Sequence, residues 1–517
     1  MPTIDRQRIS DGFITLERGV DAGKSPSMLP RNQCSFAVNA SMRGGYAKTR
    51  PEFSNIALTF TDATDPEAID IEEIWTTGRF QGAYYYSHGP RDLIICAVGG
   101  YIFSVDINTG EVNDITPKGD PNMPQVSAFY FQQAEQYLII QDGISAAIIF
   151  DGAKCRRSNI AADEVPTGTA MAYGNGRLWV ARGREFVAGD IVGGPSRDDW
   201  KNVSYPTVRI VAINYGSVSD RSCVLVNGDM FYRAPDGIRS YISSRREWQE
   251  YGQIPVSREI SPILNNEKQA GIAETTSSVL FDNRMLTTVT PQASDRGQYF
   301  RGLTALDFDL VGGTGAKAPA AWEGLWTGLN FLQIMTADVG SESRCFAFHL
   351  DPSCPIQLWE IHKEDHIPDK PSSVACYIES PSYSFENPFE MKKLEYGEMW
   401  VDQIVGDVAF DIKYKPNQYP AWVDWNTFSE CTKSSNCQPA AGQCLTLNNY
   451  KPQYRSRVRL PQPADSCEVT NGVPMRNGYE MSVRIGWTGQ ARIKGFRMHA
   501  YPIIEEPYGG CGDTSCV

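Results

Sequence analysis

The residues best suited to chemistry in this chain are its cysteines. Cys431, Cys437, Cys444 and Cys467 share one loop-like stretch, separated by five, six and twenty-two residues, and Cys511 and Cys516 bracket the C-terminus. Zinc knuckles use tighter Cys pairs, often completed by His. No His lies near this loop, so disulfide stapling and free thiols are favoured over a zinc site. His362 and His366 have the i, i+4 spacing of two ligands on one helical face, but Pro368 and the intervening Lys363-Glu-Asp read as an exposed loop. Asp106-x-Asn108-x-Gly110 begins like a calcium loop, yet Pro117 occupies the twelfth position where a bidentate Glu is needed, so a hairpin turn is expected. Gly312-Gly-Thr-Gly315-Ala-Lys317 lacks the adjacent Gly-Lys and following hydroxyl of a phosphate loop and reads as a rim loop. With five His in 517 residues and no nucleophile elbow or zincin string, no catalytic residue, metal ligand or cofactor-binding residue is assigned. Arg455, Arg457 and Arg459 alternate along one strand, which puts all three on one face as a candidate partner-contact surface. A solvated strand face is the plainer reading.

The elements that must position these residues are short strands. Helical periodicity is almost absent, while strand and turn units recur every 40 to 50 residues or so. One such unit runs Ala83 to Ser87, Leu93 to Val98, Tyr101 to Val105 and Asp106 to Val112; the next runs Ala128 to Phe131, Tyr137 to Ile140 and Ala147 to Gly152. Others begin near Thr169, Cys223, Ser278 and Leu332. Such spacing predicts a degenerate, about six-bladed β-propeller over residues 68–370, with Val187–Ser204 and Gln292–Leu325 as patternless rim loops. After Pro368 and Pro371 the strands lengthen and alternate, as in Lys393 to Val401 and Tyr479 to Trp487, predicting a β-sandwich over 371–505. Residues 1–67 read as a leader and 506–517 as a Cys-containing tail. The fold class expected is therefore all-β.

Charge bounds the partners. The chain has 48 basic and 61 acidic residues, a net −13. Residues 1–370 hold 34 and 45 of these, and residues 371–517 hold 14 and 16, so the acidity lies in the first part. That balance disfavours a surface that grips phosphates but suits a wall past which DNA slides. No apolar run reaches membrane-spanning length, and no secretory signal follows Met1.

Three stretches resemble the β-propeller nozzle, hub or packaged-DNA-stabilisation proteins of short-tailed bacteriophage tails. The first comprises Leu16-x-x-Gly19, Ser27-Met-Leu-Pro30-Arg-Asn32, Asn39-x-x-x-Arg43-Gly-Gly45 and Arg50-Pro51. The second is Gly228-Asp-Met-Phe-Tyr-Arg-Ala-Pro-Asp236-Gly-Ile-Arg239-Ser240, and the third runs through Phe389 to Leu394, Val408 to Tyr414, Tyr419 to Trp425 and Arg492 to His499. The resemblance implies a virion structural protein, not an enzyme, assembled in the host cytoplasm as a homo-oligomeric ring, taken as a hexamer. It implies contact with a portal-adaptor protein and tail fibres, passage of viral DNA without sequence-specific binding, and a structural role for Asp236, Gly237 and Arg239. The cysteine-dense loop and tail depart from that family's pattern. The alternative class is a carbohydrate-binding or glycoside-hydrolysing propeller, whose carboxylates are defined by spacing in three dimensions rather than along the chain.

Overall fold

The computed structural model describes residues 8–60, 69–159, 164–183, 185–190, 201–202, 216–242, 255–264, 276–289, 302–309, 321–350, 356–366, 374–417, 419–431, 455–463, 469–470 and 473–503. Strands dominate. Five sheets stand as separate propeller blades, and the remaining strands of consequence form one curled half-barrel sheet.

Each blade is an antiparallel meander whose first strand packs at the centre. The first blade contains Phe80–His88, Arg91–Val98, Tyr101–Asp106 and Glu111–Asp114; the second contains Tyr130–Ala134, Tyr137–Gln141, Ile148–Phe150 and Cys155–Arg157. The third runs from Met171–Gly174 to Lys201–Asn202, the fourth from Val224–Val226 to Gly237–Ser240, and the last from Phe331–Val339 to Ile356–Ile361. A further four-stranded meander, Ser278–Phe281, Arg284–Val289, Gly302–Asp307 and Ala321–Trp326, takes the place before the last blade. It is not a separate sheet, because Leu325 pairs in parallel with Val38 and so joins it to the half-barrel.

Buried side chains join adjacent sheets around most of the circle. Phe346, Phe348 and Leu358 of the last blade share a core with Ile94, Phe103 and Val105 of the first. Ile95 and Ile102 meet Leu138 and Ile148 of the second, and Ile139 and Ile149 meet Leu178 and Val180 of the third. The bridging meander shares Leu286, Leu303 and Trp326 with Ile334 and Ala347, and Met285 and Trp322 with Ile238. Where a strand is buried on both faces in this way, it shows no polar–apolar alternation at all. Gly302–Asp307 and Ala321–Trp326 are buried at every position, and so Gln292–Leu325, expected to be a patternless loop, contains one full strand and all but the last residue of another. Val187–Ser204 likewise holds the end of strand Glu185–Asp190 and all of Lys201–Asn202.

The first sixty residues are woven into both parts of the molecule. Ile9–Phe13 pairs with the final long strand Met481–Pro502, Phe53–Ile56 forms the outer strand of the last blade, and Thr59–Phe60 pairs in parallel at the edge of the first. Fastening both blades from one continuous segment ties the two ends of the propeller together.

The strands expected to form a sandwich instead share a single hydrogen-bonded sheet. Lys392–Pro416 pairs with Met481–Pro502 along nearly its whole length, with register shifts between Leu394 and Tyr396, Trp400 and Val401, Asp402 and Val405, and Val405 and Ala409. These bulges increase local twist and bend a long strand, which curls the sheet around its own core. That core includes Leu394, Met399, Ile412, Ile485, Ile493 and Met498.

Candidate functional site

Two charged assemblies stand out, and their degrees of burial give them different roles. The first lies where the N-terminal segment, the bridging meander and the turn after the last blade meet. Arg284 is nearly inaccessible and contacts Glu323 at 2.9 Å, Asp282 at 2.7 Å, Glu364 at 2.5 Å and Asp307 at 3.4 Å. Arg43 contacts Asp307 at 2.9 Å and Asp282 at 3.0 Å, and Lys48 reaches Glu364 at 2.6 Å. Ser41 hydrogen-bonds to Glu323 and Glu364 and accepts from Arg284. Burial pushes Glu323 up to about 6, aided by the charges of Asp307 and Glu364 and opposed by Arg284. Glu364 moves the other way: burial would raise it, but Arg284 and Lys48 prevail and hold it below its ordinary value. Burial would lower Arg284, yet the surrounding carboxylates push it well above its ordinary value.

Paired carboxylates of unequal acidity are what acid–base catalysis uses. Here Glu323 and Asp307 are fully buried and bound to Arg284 and Arg43, so the cluster has the form of a buried ionic junction rather than a cleft open to substrate. Sequence reasoning missed it because its members come from five separate segments. The one available signal was Arg43 in the leader motif. Asn39 and Arg50 of that motif form an adjacent hub: Asn39 bonds to Thr327, Ala375 and Arg50, and Arg50 donates to Pro51 O and Thr327 O while lying 3.5 Å from the Phe53 ring centre.

The second assembly covers the outer face of the half-barrel. Ile14 is 74% exposed and Trp400 38%, and with Phe13, Tyr46 and Phe496 they border a cavity of about 330 Å³ flanked by Glu398, Lys494 and Arg497. Arg492 and Lys494 sit 5.1 and 5.2 Å from the Tyr46 ring centre, and both contact Asp402. Tyr396 is stacked against His499 at 4.3 Å, with Arg459 4.3 Å and Arg8 5.1 Å from its centre. Burial lowers His499, against the raising influence of Glu398. Six cations (Arg8, Arg457, Arg459, Arg492, Lys494 and Arg497) thus share this face with three carboxylates, Glu395, Glu398 and Asp402.

The candidate residues from the sequence fall as follows. Strand Arg455–Leu460 sets Arg455, Arg457 and Arg459 opposite Asp402, Trp400 and Glu398, and the side chains of Arg457 and Arg459 join the charged aromatic face. Arg457 pairs with Glu398. Cys431 ends strand Val423–Cys431; Cys437, Cys444, Cys467, Cys511 and Cys516 lie outside the described residues, as does Gly312–Lys317. His362 and His366 stack at 3.8 Å in a turn, with His362 against Ser54 and His366 near Glu52. Among the described residues no group of acidic, His and Cys side chains has the form of a metal site. Asp106 accepts from the N–H of Asn108 and Thr109 in a hairpin turn. Asp236 and Arg239 form a two-point pair across their turn, at 3.0 and 2.5 Å. Among the described residues, the central strands of the blades and bridging meander carry one acidic residue, Asp338, and Asp220 borders the space between them.

No family model matches the chain, and no curated protein matches it. Solved structures with a similar layout include BamB from Moraxella catarrhalis, at 13% identity and a TM-score of 0.23, covering 55% of this chain and 70% of that one. Trypanosoma rangeli sialidase in complex with the inhibitor DANA has 8% identity, a TM-score of 0.31 and coverages of 83% and 92%. A glycoside hydrolase family 43 arabinoxylan arabinofuranohydrolase from Bacillus subtilis has 7% identity, a TM-score of 0.21 and coverages of 81% and 95%. Similarities this low carry no inference about activity. No helix among the described residues is long and apolar enough to cross a membrane.

Proposed function

We propose that this chain is a non-enzymatic assembly subunit of a short-tailed bacteriophage tail, in which copies close into a ring around the path of the DNA. The observation that carries the reading is the half-barrel face: six cations against three carboxylates, with exposed Ile14 and Trp400, on a chain of net charge −13. A basic, aromatic patch on an acidic molecule is complementary to the acidic remainder of another copy, and complementary charge sets docking register. Contacts between unlike patches make closed rings when the rotation closes. The resemblance of the leader and C-terminal motifs to nozzle and hub proteins supports the tail setting, with adaptor and fibres as further partners. Since the described central strands carry few acidic residues, this reading puts the sliding wall for DNA in the space enclosed by the copies.

The test is the mass in solution of the purified chain, by light scattering across a dilution series, with electron microscopy of the assembled species. Rings are expected, and the double substitution Ile14→Asp with Trp400→Asp should return them to monomers of unchanged circular dichroism. A chain monomeric at every concentration, coupled with glycan binding or hydrolysis, would replace this reading by the carbohydrate-active one.

A further inference from the structure

A cavity of about 400 Å³ opens on the propeller axis, bordered by the central strands of the first, second, third and last blades and by the bridging meander. Its chemistry differs from the half-barrel face. Tyr84 and Phe131 present rings 6.4 Å apart and 14° from parallel, Gln132 and Thr336 add polar groups, and Asp220 and Arg221 enter from the short turn before Val224–Val226.

Arg221 is the unusual member. Its Nη2 donates to Gln81 O at 2.8 Å and Phe129 O at 2.9 Å, reaching from the turn before the fourth blade to the first and second. The guanidinium occupies the space over Gly82, where an added Cβ would fall 2.4 Å from Nη2 and 3.1 Å from Phe131. Gly82 also has φ +150°, so the sequence leaves this position bare and the cation fills it. Burial lowers the Arg221 pKa, with Asp220 acting in the opposite direction. Among the described residues no carboxylate forms an ion pair with Arg221, and both of its hydrogen bonds to protein use Nη2. A guanidinium has five N–H donors, so Nε and Nη1 remain for a ligand.

We propose that the axial cavity binds a small ring-bearing carboxylate of the sugar-acid class. The carboxylate would meet the free donors of Arg221, since planar guanidinium recognises planar carboxylate. The ring face would lie against Tyr84 and Phe131, and hydroxyls would donate to Asp220, whose own charge disfavours a bare polyanion. A concave, partly aromatic site with a few converging polar groups is the usual form of a small-molecule pocket. This site is independent of the assembly reading, because it lies on the axis of one propeller and shares no residue with the half-barrel face.

Titration calorimetry on the full chain would use D-glucuronate, with D-glucose and inorganic phosphate as probes lacking the charge and the ring. Glucuronate should bind one-to-one and at least tenfold more tightly than either. Losing charge-assisted hydrogen bonds in Arg221→Met should weaken it by about tenfold to a hundredfold. Thr336→Trp, which leaves Arg221 in place and fills the cavity, should abolish binding and decides the matter if Arg221→Met does not fold. Absence of glucuronate binding, equal binding of glucose or phosphate, or wild-type affinity in Thr336→Trp would overturn the proposal.

Discussion

Replacing Glu323 by Gln tests whether the buried cluster is a net cost at neutral pH. Its carboxyl is fully inaccessible and raised from 4.5 to about 6, so the folded chain binds that proton more tightly than the unfolded chain does. The stabilising contribution is therefore complete below 4.5 and is lost as pH rises through about 6. The difference corresponds to about 2 kcal/mol. Glu364, held below its ordinary value, acts in the opposite sense: its contribution is present above 4.5 and is lost at lower pH, so the two windows do not coincide. Gln mimics the protonated form at every pH. The fixed cost of turning an amide toward Arg284 cancels when the variant is compared with the wild type at two pH values. Between about pH 4.5 and about pH 7.5, Glu323→Gln should gain about 2 kcal/mol relative to wild type. The assay is urea unfolding followed by tryptophan fluorescence, in which Trp326 reports on the cluster because Arg284 lies 5.6 Å from its ring centre. A variant that instead loses ground as pH rises would show that the Arg284 pairing outweighs desolvation, and the argument would be wrong.

Two other outcomes follow from packing. Gly324 has φ +93°, and a Cβ there would meet Ala37 O at 2.4 Å, whereas Gly340 has φ +65° with nothing within 4 Å. Gly340→Ala should cost about 1 kcal/mol from backbone strain, and Gly324→Ala clearly more, read as melting temperatures; equal losses would mean that the crossing of Ala37 over the bridging meander is loose. Burial pushes the thiols of Cys34, Cys96 and Cys345 far above their ordinary values and Cys376 up to about 12; it raises Cys223 too, but that residue is exposed to reagent. Iodoacetamide followed by peptide mass mapping should therefore label Cys223 in the folded chain well before these four, and fast labelling of Cys96 or Cys345 would contradict their placement.

What the sequence disclosed depended on how many faces a strand exposes. Ala83 to Val112 could be parsed because Gly89, Gly99 and Gly110, all at positive φ, punctuate its strands. Gly302–Asp307 and Ala321–Trp326 could not: both faces are buried, Asp307 and Glu323 interrupt the apolar run because the buried cluster uses them, and Thr304 interrupts it with a hydroxyl that donates to Thr287 O. The alternation of Arg455, Arg457 and Arg459 says nothing of aromatic companions, since Tyr396 and Trp400 come from the neighbouring strand and Ile14 from the N-terminal segment. The ionic junction was illegible for the same reason. Its charges lie between Arg43 and Glu364, and no local pattern marks them as neighbours.

The hub beside that junction explains why the leader motif contains Asn39 and Arg50 together. Asn39 adopts φ 53°, a left-handed conformation that Asn tolerates better than most residues, and turns its amide onto Thr327 and Ala375. Arg50 is buried and brought down to about 10 by loss of solvent, and its hydrogen bonds go to the Asn39 side chain and to the Pro51 and Thr327 carbonyls. A surface ion pair would bind the same groups loosely, because water competes for both charges. A buried guanidinium against fixed carbonyls is instead costly to misplace, since any displacement leaves its donors unsatisfied. The contacts join the N-terminal segment, the end of the bridging meander and the start of the return to the half-barrel, so the propeller cannot pivot on the half-barrel without breaking them. The ring proposed for this chain would use that constraint: a ring closes only when every copy holds the same angle between the part that donates a contact and the part that receives it.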